Sequence, residues 1–168
     1  MALATNDTIA KFGTLAMVTV SRTATDPSPV TTTSFSVAAD ISAWTNTDDA
    51  PHARFILLLE WLTTAPTDNV GSIDIYARPL NIQSTNEPNT PTALNRAQYI
   101  GSFIIDWTVA ATTQHFLISP ICDLPNFYTS QVYEFYIHNN GMGQSITGDS
   151  ATVGWQMWIQ PLAFGPKP

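Results

Sequence analysis

The 168-residue chain has 44% hydrophobic and 11% aromatic residues but only 11% charged ones, and its formal net charge is −7. This length suits one domain with a substantial core, and the aromatic content excludes a disordered chain. The two lysines and four scattered arginines form no basic cluster that would displace counterions from phosphates. The composition therefore excludes nucleic-acid binding and argues against docking on anionic membranes.

The ends of the chain differ from its middle. Residues 1–12 carry no sustained hydrophobic period, so we expect an N-terminal arm there, a sandwich domain over 13–162 and a C-terminal tail at 163–168. The N-terminus has neither a basic n-region nor an apolar h-region, which predicts no signal peptide. The longest apolar run, residues 55–59, is too short to span a bilayer.

Period-2 alternation and turn residues predict about eight strands. They are expected at residues 13–20, 33–39, 53–63, 71–80, 99–109, 113–118, 131–138 and 151–162. Segment 53–63 is hydrophobic in both phases, which is typical of a strand that is covered on both faces. Residues 81–98 form a long polar loop, and 139–143 are rich in Asn and Gly, as in a hairpin turn.

These strands define the fold class. No convincing amphipathic helix and no internal repeat accompanies them, and Pro-, Gly- and Asn-rich turns separate them. Short strands at this spacing are typical of a sandwich or barrel, and eight strands in two sheets describe a jelly roll. We therefore predict an all-β, single-domain β-sandwich or jelly roll.

Two of the predicted strands present a polar face. In 71–80 and 131–138, the apolar positions alternate with six polar or aromatic side chains. These are Asp74, Tyr76, Arg78, Glu134, Tyr136 and His138. A cupin-type metal centre would use Glu134, Tyr136 and His138 with His115 or Asp123 nearby. Such a centre needs three or four converging ligands, whereas the chain has three histidines and no His-x-His pair. We interpret this face as solvated, with ordinary cross-strand pairs, and predict no metal site and no cofactor.

A nucleophilic site is not expected either. Cys122 is the only cysteine, which excludes an intrachain disulfide, and its neighbour Asp123 would raise the thiol pKa rather than activate the thiol. No Gly-x-Ser-x-Gly elbow and no phosphate-binding glycine loop is present. We predict that Cys122 is a small buried hydrophobe, that no residue is catalytic and that the chain is not an enzyme.

Five tryptophans offer a different kind of site. Trp155 and Trp158 lie three positions apart in the last predicted strand, so their side chains point to opposite faces. Trp158 shares its face with Gln156 and Gln160, and a tryptophan flanked by amides suits a sugar or a neighbouring subunit. We favour a role in the core or in an interface over sugar stacking.

The C-terminal half resembles a known group of proteins. The runs concerned are Tyr-Ile-Gly-Ser-Phe-Ile-Ile-Asp at 99–106, Asp-Leu-Pro at 123–125, Tyr-Glu-Phe-Tyr-Ile-His-Asn-Asn-Gly at 133–141 and Gly-Trp-Gln-Met-Trp-Ile-Gln-Pro at 154–161. Their order is similar to that in small structural proteins encoded in the head gene clusters of tailed bacteriophages. Some of those proteins decorate or cement the capsid.

The resemblance implies a small, all-β, oligomeric virion protein, often a homotrimer, whose partner is the major capsid protein. It implies that residues 1–12 and 163–168 reach across neighbouring capsid subunits. We expect the chain to assemble in the host cytoplasm and to lie on the capsid exterior, where its acidic surface is away from packaged nucleic acid. The alternative is a carbohydrate-binding, lectin-like or receptor-binding module of a phage tail or fibre.

Overall fold

The computed structural model describes residues 8–19, 27–37, 40–62, 64–66, 71–80, 97–105, 115–125, 129–148 and 154–166. Throughout these residues the protein is all-β, and its strands form two antiparallel sheets packed as a β-sandwich. The predicted fold class is confirmed. The eight-stranded jelly-roll connection remains a prediction, since ten strands are assigned within the described part of the chain.

The larger sheet contains six strands. They are β1 (Thr8–Phe12), β2 (Ala16–Met17), β4 (His52–Leu59), β7 (His115–Ile118), β8 (Cys122–Asp123) and β10 (Gln156–Pro166). Their order is β1-β10-β4-β7, with β2 also paired to β10 and β8 also paired to β4. The long apolar segment predicted as a strand is therefore β4, at the centre of this sheet.

The smaller sheet contains four strands. They are β3 (Trp44–Thr45), β5 (Ser72–Pro79), β6 (Gln98–Ser102) and β9 (Val132–Asn140), in the order β3-β9-β5-β6. Beyond β3, the segment around Phe35 continues along β9 through an isolated bridge to His138. Of the predicted loop 81–98, residues 81–96 lie outside the described residues.

The core fills the space between the inner faces of the two sheets. It contains Phe55, Leu57, Leu59, Ile73, Ile75, Tyr133, Phe135, Ile137, Met157 and Ile159, which have no solvent exposure. The Phe55 and Phe135 rings meet edge to face across the sandwich with their centroids 5.0 Å apart. Burial of one such side chain stabilises the fold by roughly 1.5–3 kcal/mol, so this layer holds the sheets together.

The predicted domain boundaries are wrong at both ends. Residues 8–12 form β1 instead of an arm, and residues 163–166 continue β10 instead of forming a tail. The two segments pair with each other from Thr8–Pro166 to Phe12–Leu162. The sequence did not reveal this pairing because residues 8–12 carry no sustained hydrophobic period, and their partners lie about 150 positions away. Residues 1–7 and 167–168 lie outside the described residues.

Candidate functional site

The outer face of the six-stranded sheet carries a row of apolar side chains. Met17 on β2, Trp158 on β10, Ile56 on β4 and Ile118 on β7 are successive cross-strand partners. These side chains point away from the core because strand neighbours alternate between faces, and Phe55, Leu57, Met157 and Ile159 are the buried ones. Leu58 and its partner Phe116 form a second row. We call these six side chains the apolar face.

This face is open to solvent in the described part of the chain. Phe116 is 61% exposed, Met17 46% and Ile118 41%, whereas Ile56, Leu58 and Trp158 are half-buried. The prediction that β4 is covered on both sides is therefore wrong, because burial alternates strictly along this strand. One apolar phase of β4 lies in the core, and the other phase lies at the surface.

The apolar face is large enough to be the centre of an interface. The first row crosses four strands spaced ~4.8 Å apart and the second row crosses two of them, and with each row ~7 Å deep the apolar face covers roughly 200 Å². Contiguous apolar patches on soluble proteins reach about a few hundred Å², and the largest of them is often functional. A standard interface buries about 800 Å² on each partner, so a polar rim would have to supply the remaining area.

The surroundings of Trp158 favour an apolar partner over a sugar. Of its two amide neighbours on the same face, Gln160 is already engaged. Its Oε1 accepts a hydrogen bond from Arg54 Nη2 at 2.6 Å, and its Nε2 donates to the Gly13 carbonyl at 3.4 Å. The Arg54 guanidinium also lies 5.2 Å from the centre of the Phe12 ring. Arg54 is therefore held at the border of the apolar face, two positions from Ile56 along β4.

The outer face of the four-stranded sheet is a buried polar cluster. Its members are Asp74, Tyr76, Arg78, Glu134, Tyr136 and His138. Five of them are at most 9% exposed, and Glu134 is half-buried. Alternation assigned these side chains to the correct face, but the prediction that this face is solvated is wrong. Period-2 patterning gives the face a side chain belongs to, and tertiary contacts decide whether that face meets water.

Within the cluster, an ion pair joins β5 to β9. Arg78 Nη2 contacts Glu134 Oε2, and the Tyr136 hydroxyl donates to the same oxygen at 2.6 Å. The Arg78 guanidinium lies 5.7 Å from the Tyr136 ring centre. Burial raises the pKa of Tyr136, and the hydrogen bond and negative charge of Glu134 raise it further. This tyrosine stays protonated as a donor, which suits a structural network better than proton transfer.

The second carboxylate of the cluster is also engaged. Asp74 Oδ1 accepts hydrogen bonds from the hydroxyls of Ser72 at 2.6 Å and Ser102 at 2.7 Å, and Oδ2 accepts one from Asn140 Nδ2 at 2.9 Å. The His138 ring packs on Phe35 with the ring centroids 4.5 Å apart. Three hydrogen-bond donors therefore hold the Asp74 carboxylate in place, and these contacts connect β5 with β6 and β9.

Cys122 on β8 and His52 on β4 lie on paired strands, but they do not form a nucleophile–base pair. Cys122 pairs with Ala53 and is buried, whereas His52 pairs with Asp123 and its Nδ1 lies 2.7 Å from Asp123 Oδ1. Burial raises the pKa of the Cys122 thiol, the Asp123 charge adds to this, and a hydrogen bond with Ser119 opposes it. Because a raised pKa leaves less of the thiol in its reactive thiolate form, Cys122 is a weaker nucleophile than an ordinary cysteine.

The remaining candidates lack convergent chemistry. Within the described ranges, no three His, Cys, Asp or Glu side chains are grouped as a metal site requires. His115 lies on β7 of one sheet, and His138 on β9 of the other. A surface pocket of about 270 Å³ next to β1 is lined by Lys11, Asp48 and apolar or backbone groups. Two exposed, opposite charges do not form a catalytic arrangement.

No family model matches the chain, and neither the curated proteins nor the solved structures contain a match to it. None of the described segments is a helix of the length and apolar character that crossing a membrane requires.

Proposed function

We propose that this chain is a non-enzymatic structural protein of a virus particle that decorates the capsid by docking its apolar face on the major capsid protein. The observation that carries the proposal is the unbroken row of Met17, Trp158, Ile56 and Ile118 across four strands. A partner that covers this row removes its apolar surface from water, and this burial stabilises the complex.

The sequence of β4 supports a partner on this side. A strand of a one-sided sheet needs apolar residues in one phase only, yet both Ile56 and Leu58 occupy the second phase. Trp158 and Met17 extend the same face, and both residue types are enriched in protein interfaces. The low content of charged residues in the whole chain agrees with a surface that meets other proteins.

The size of the apolar face suits repeated, weak contacts. At roughly 200 Å², it is smaller than the surface that one partner contributes to a standard interface. A capsid offers many equivalent sites, and a homotrimer would engage several of them at once, so that avidity raises the overall affinity. Decoration would then stabilise the particle by mass action, because the protein binds the assembled lattice. The resemblance to phage head proteins supports this setting on the capsid exterior.

Co-sedimentation with capsids tests the proposal. Particles of the encoding virus, assembled without this chain, are mixed with the wild-type protein and with Phe116→Ser and Ile118→Thr variants. Both substituted side chains are exposed on the edge strand β7, so the fold should persist. We expect at least tenfold weaker binding for each variant, whereas the control Leu62→Thr, at an exposed leucine outside the apolar face, should bind normally. Equal binding by all four proteins would refute the apolar face as the contact.

A glycan-binding module is the second candidate, and one observation favours it. Tyr99 is 53% exposed at the edge of the four-stranded sheet. Its hydroxyl lies 2.9 Å from Ser102 Oγ, and its ring meets the Tyr76 ring edge to face with the centroids 5.7 Å apart. An exposed ring held in this way can stack on a sugar. A glycan array would test it: binding that Tyr99→Ala abolishes supports the module, and a blank array rejects it.

A further inference from the structure

An Asn-Gly pair ends strand β9 at the surface. Asn140 is its last residue and is exposed, and Gly141 follows with a φ of +75°. Asparagine is chemically labile, and a following glycine leaves the attacking backbone nitrogen unhindered because it has no Cβ. In such a pair, the nitrogen of the glycine attacks the side-chain carbonyl carbon of the asparagine.

The folded protein restrains both reacting groups. The Asn140 side-chain amide donates to the buried carboxylate of Asp74, with 2.9 Å between Nδ2 and Oδ2. The Gly141 backbone N–H donates to the Asn139 carbonyl at 3.1 Å. A hydrogen bond to a charged acceptor is among the stronger ones, so Asp74 holds the amide toward β5. Attack requires these two contacts to be released.

Close backbone packing adds a third restraint. A Cβ placed on Gly71 would lie 2.5 Å from the carbonyl carbon of Gly141 and 2.7 Å from the Asn140 carbonyl oxygen. The start of β5 therefore lies directly against the 140–141 segment. Rotation of this peptide toward the Asn140 side chain would need β5 and β9 to separate locally.

We propose that Asn140 is a deamidation site that the hydrogen bond to Asp74 keeps closed in the folded protein. When these contacts are released, the Gly141 nitrogen gives up its proton to water and bonds to Cγ of Asn140, Nδ2 takes a proton from water as the Cγ–Nδ2 bond breaks, and ammonia leaves. Water then adds to the resulting succinimide and opens it to aspartate or isoaspartate. Either product places a second carboxylate beside Asp74, so a donated hydrogen bond is replaced by charge repulsion and the β5–β9 end is loosened.

Peptide mapping by mass spectrometry after incubation at mildly alkaline pH measures the modification at residue 140. We expect the folded wild-type protein to deamidate at least about tenfold more slowly than the same protein in urea. Asp74→Asn removes the negative charge and leaves one acceptor oxygen in place of two, which weakens the hydrogen bond to Asn140, and we expect about tenfold faster modification in the folded state. Asn140→Gln should abolish the reaction at this position.

Ser72→Ala is the matched control. It removes one hydrogen bond from the same carboxylate but leaves the contact between Asp74 and Asn140 in place, so its rate should stay within about twofold of the wild type. Equal acceleration by Ser72→Ala and Asp74→Asn would show that general stability sets the rate, and would overturn the proposal. If Asp74→Asn fails to fold, equal rates for folded and urea-unfolded wild-type protein would overturn it independently.

Discussion

Gly101 and Cys122 meet across the sandwich, and a Cβ on Gly101 would lie 2.6 Å from the Cys122 sulfur. Gly101 belongs to β6 of the four-stranded sheet, and Cys122 to β8 of the six-stranded sheet. The sulfur is fixed from its other side, at 3.4 Å from the Pro120 carbonyl oxygen and 3.7 Å from Ser119 Oγ. The close approach of the sheets at this corner therefore depends on the missing side chain of residue 101.

Gly101→Ala should destabilise the protein by about 1–3 kcal/mol, because overpacking forces the sulfur or the backbone to move. The free energy of unfolding, measured by urea denaturation, tests this. The Cys122→Ala background is the control, since without the sulfur the nearest atom would be the Cys122 Cβ at 3.9 Å. We expect most of the cost of Gly101→Ala to disappear there. The same cost in both backgrounds would contradict the contact.

The buried ion pair should matter more than the exposed one. Glu134→Gln weakens the contacts to both Arg78 and Tyr136, and we expect a loss of about 2–3 kcal/mol in unfolding free energy. Asp123→Asn is the comparison: its side chain is 90% exposed, and its pairing with His52 should contribute little. Urea denaturation of both variants measures the difference. Equal losses would mean that the polar cluster is not a stabilising network.

Alkaline pH should destabilise the protein. Burial is the largest cause that raises the pKa of Tyr133, to about 12 from an ordinary value of 10.0. The folded state therefore binds the proton more tightly, and the resulting stability is complete below pH 10 and is lost as pH rises toward 12. Urea midpoints between pH 9 and pH 12 measure this fall, and Tyr133→Phe should reduce its slope. A flat profile in the wild type would contradict the burial of this hydroxyl.

The pairing of β1 with β10 predicts that proline substitutions at neighbouring positions of β1 have different effects. Gly13 N–H donates to the Pro161 carbonyl, so in this antiparallel register Lys11 is also expected to donate to β10, whereas the Ala10 N–H points away from it. Lys11→Pro should therefore lower the thermal midpoint, and Ala10→Pro should change it little, since proline is tolerated on the free side of an edge strand. Lys11→Ala controls for the lost side chain. Equal effects of the two proline variants would refute the register.

The sequence determined which residues share a face. Alternation separated Ile73 and Ile75 from Asp74 and Tyr76, and it placed Trp155 and Trp158 on opposite sides, as the structure has them. It also predicted that Cys122 is buried, because a free thiol behaves as a small hydrophobic side chain. These properties follow from the two-residue period of a strand and from side-chain polarity, which act locally.

Only the tertiary structure decided what lies over each face. The polar positions of β5 and β9 are buried because Arg78, Glu134 and Tyr136 satisfy one another, whereas the apolar positions Phe116 and Ile118 face solvent. Residues 8–12 and 163–166 are strands because they pair with each other in one sheet, although Phe12 and its partner Leu162 lie 150 positions apart in sequence. Such long-range contacts leave no local period in the sequence. Periodicity therefore predicted the fold class and which side chains share a face of each strand. Packing alone decided which of these faces are open to a partner.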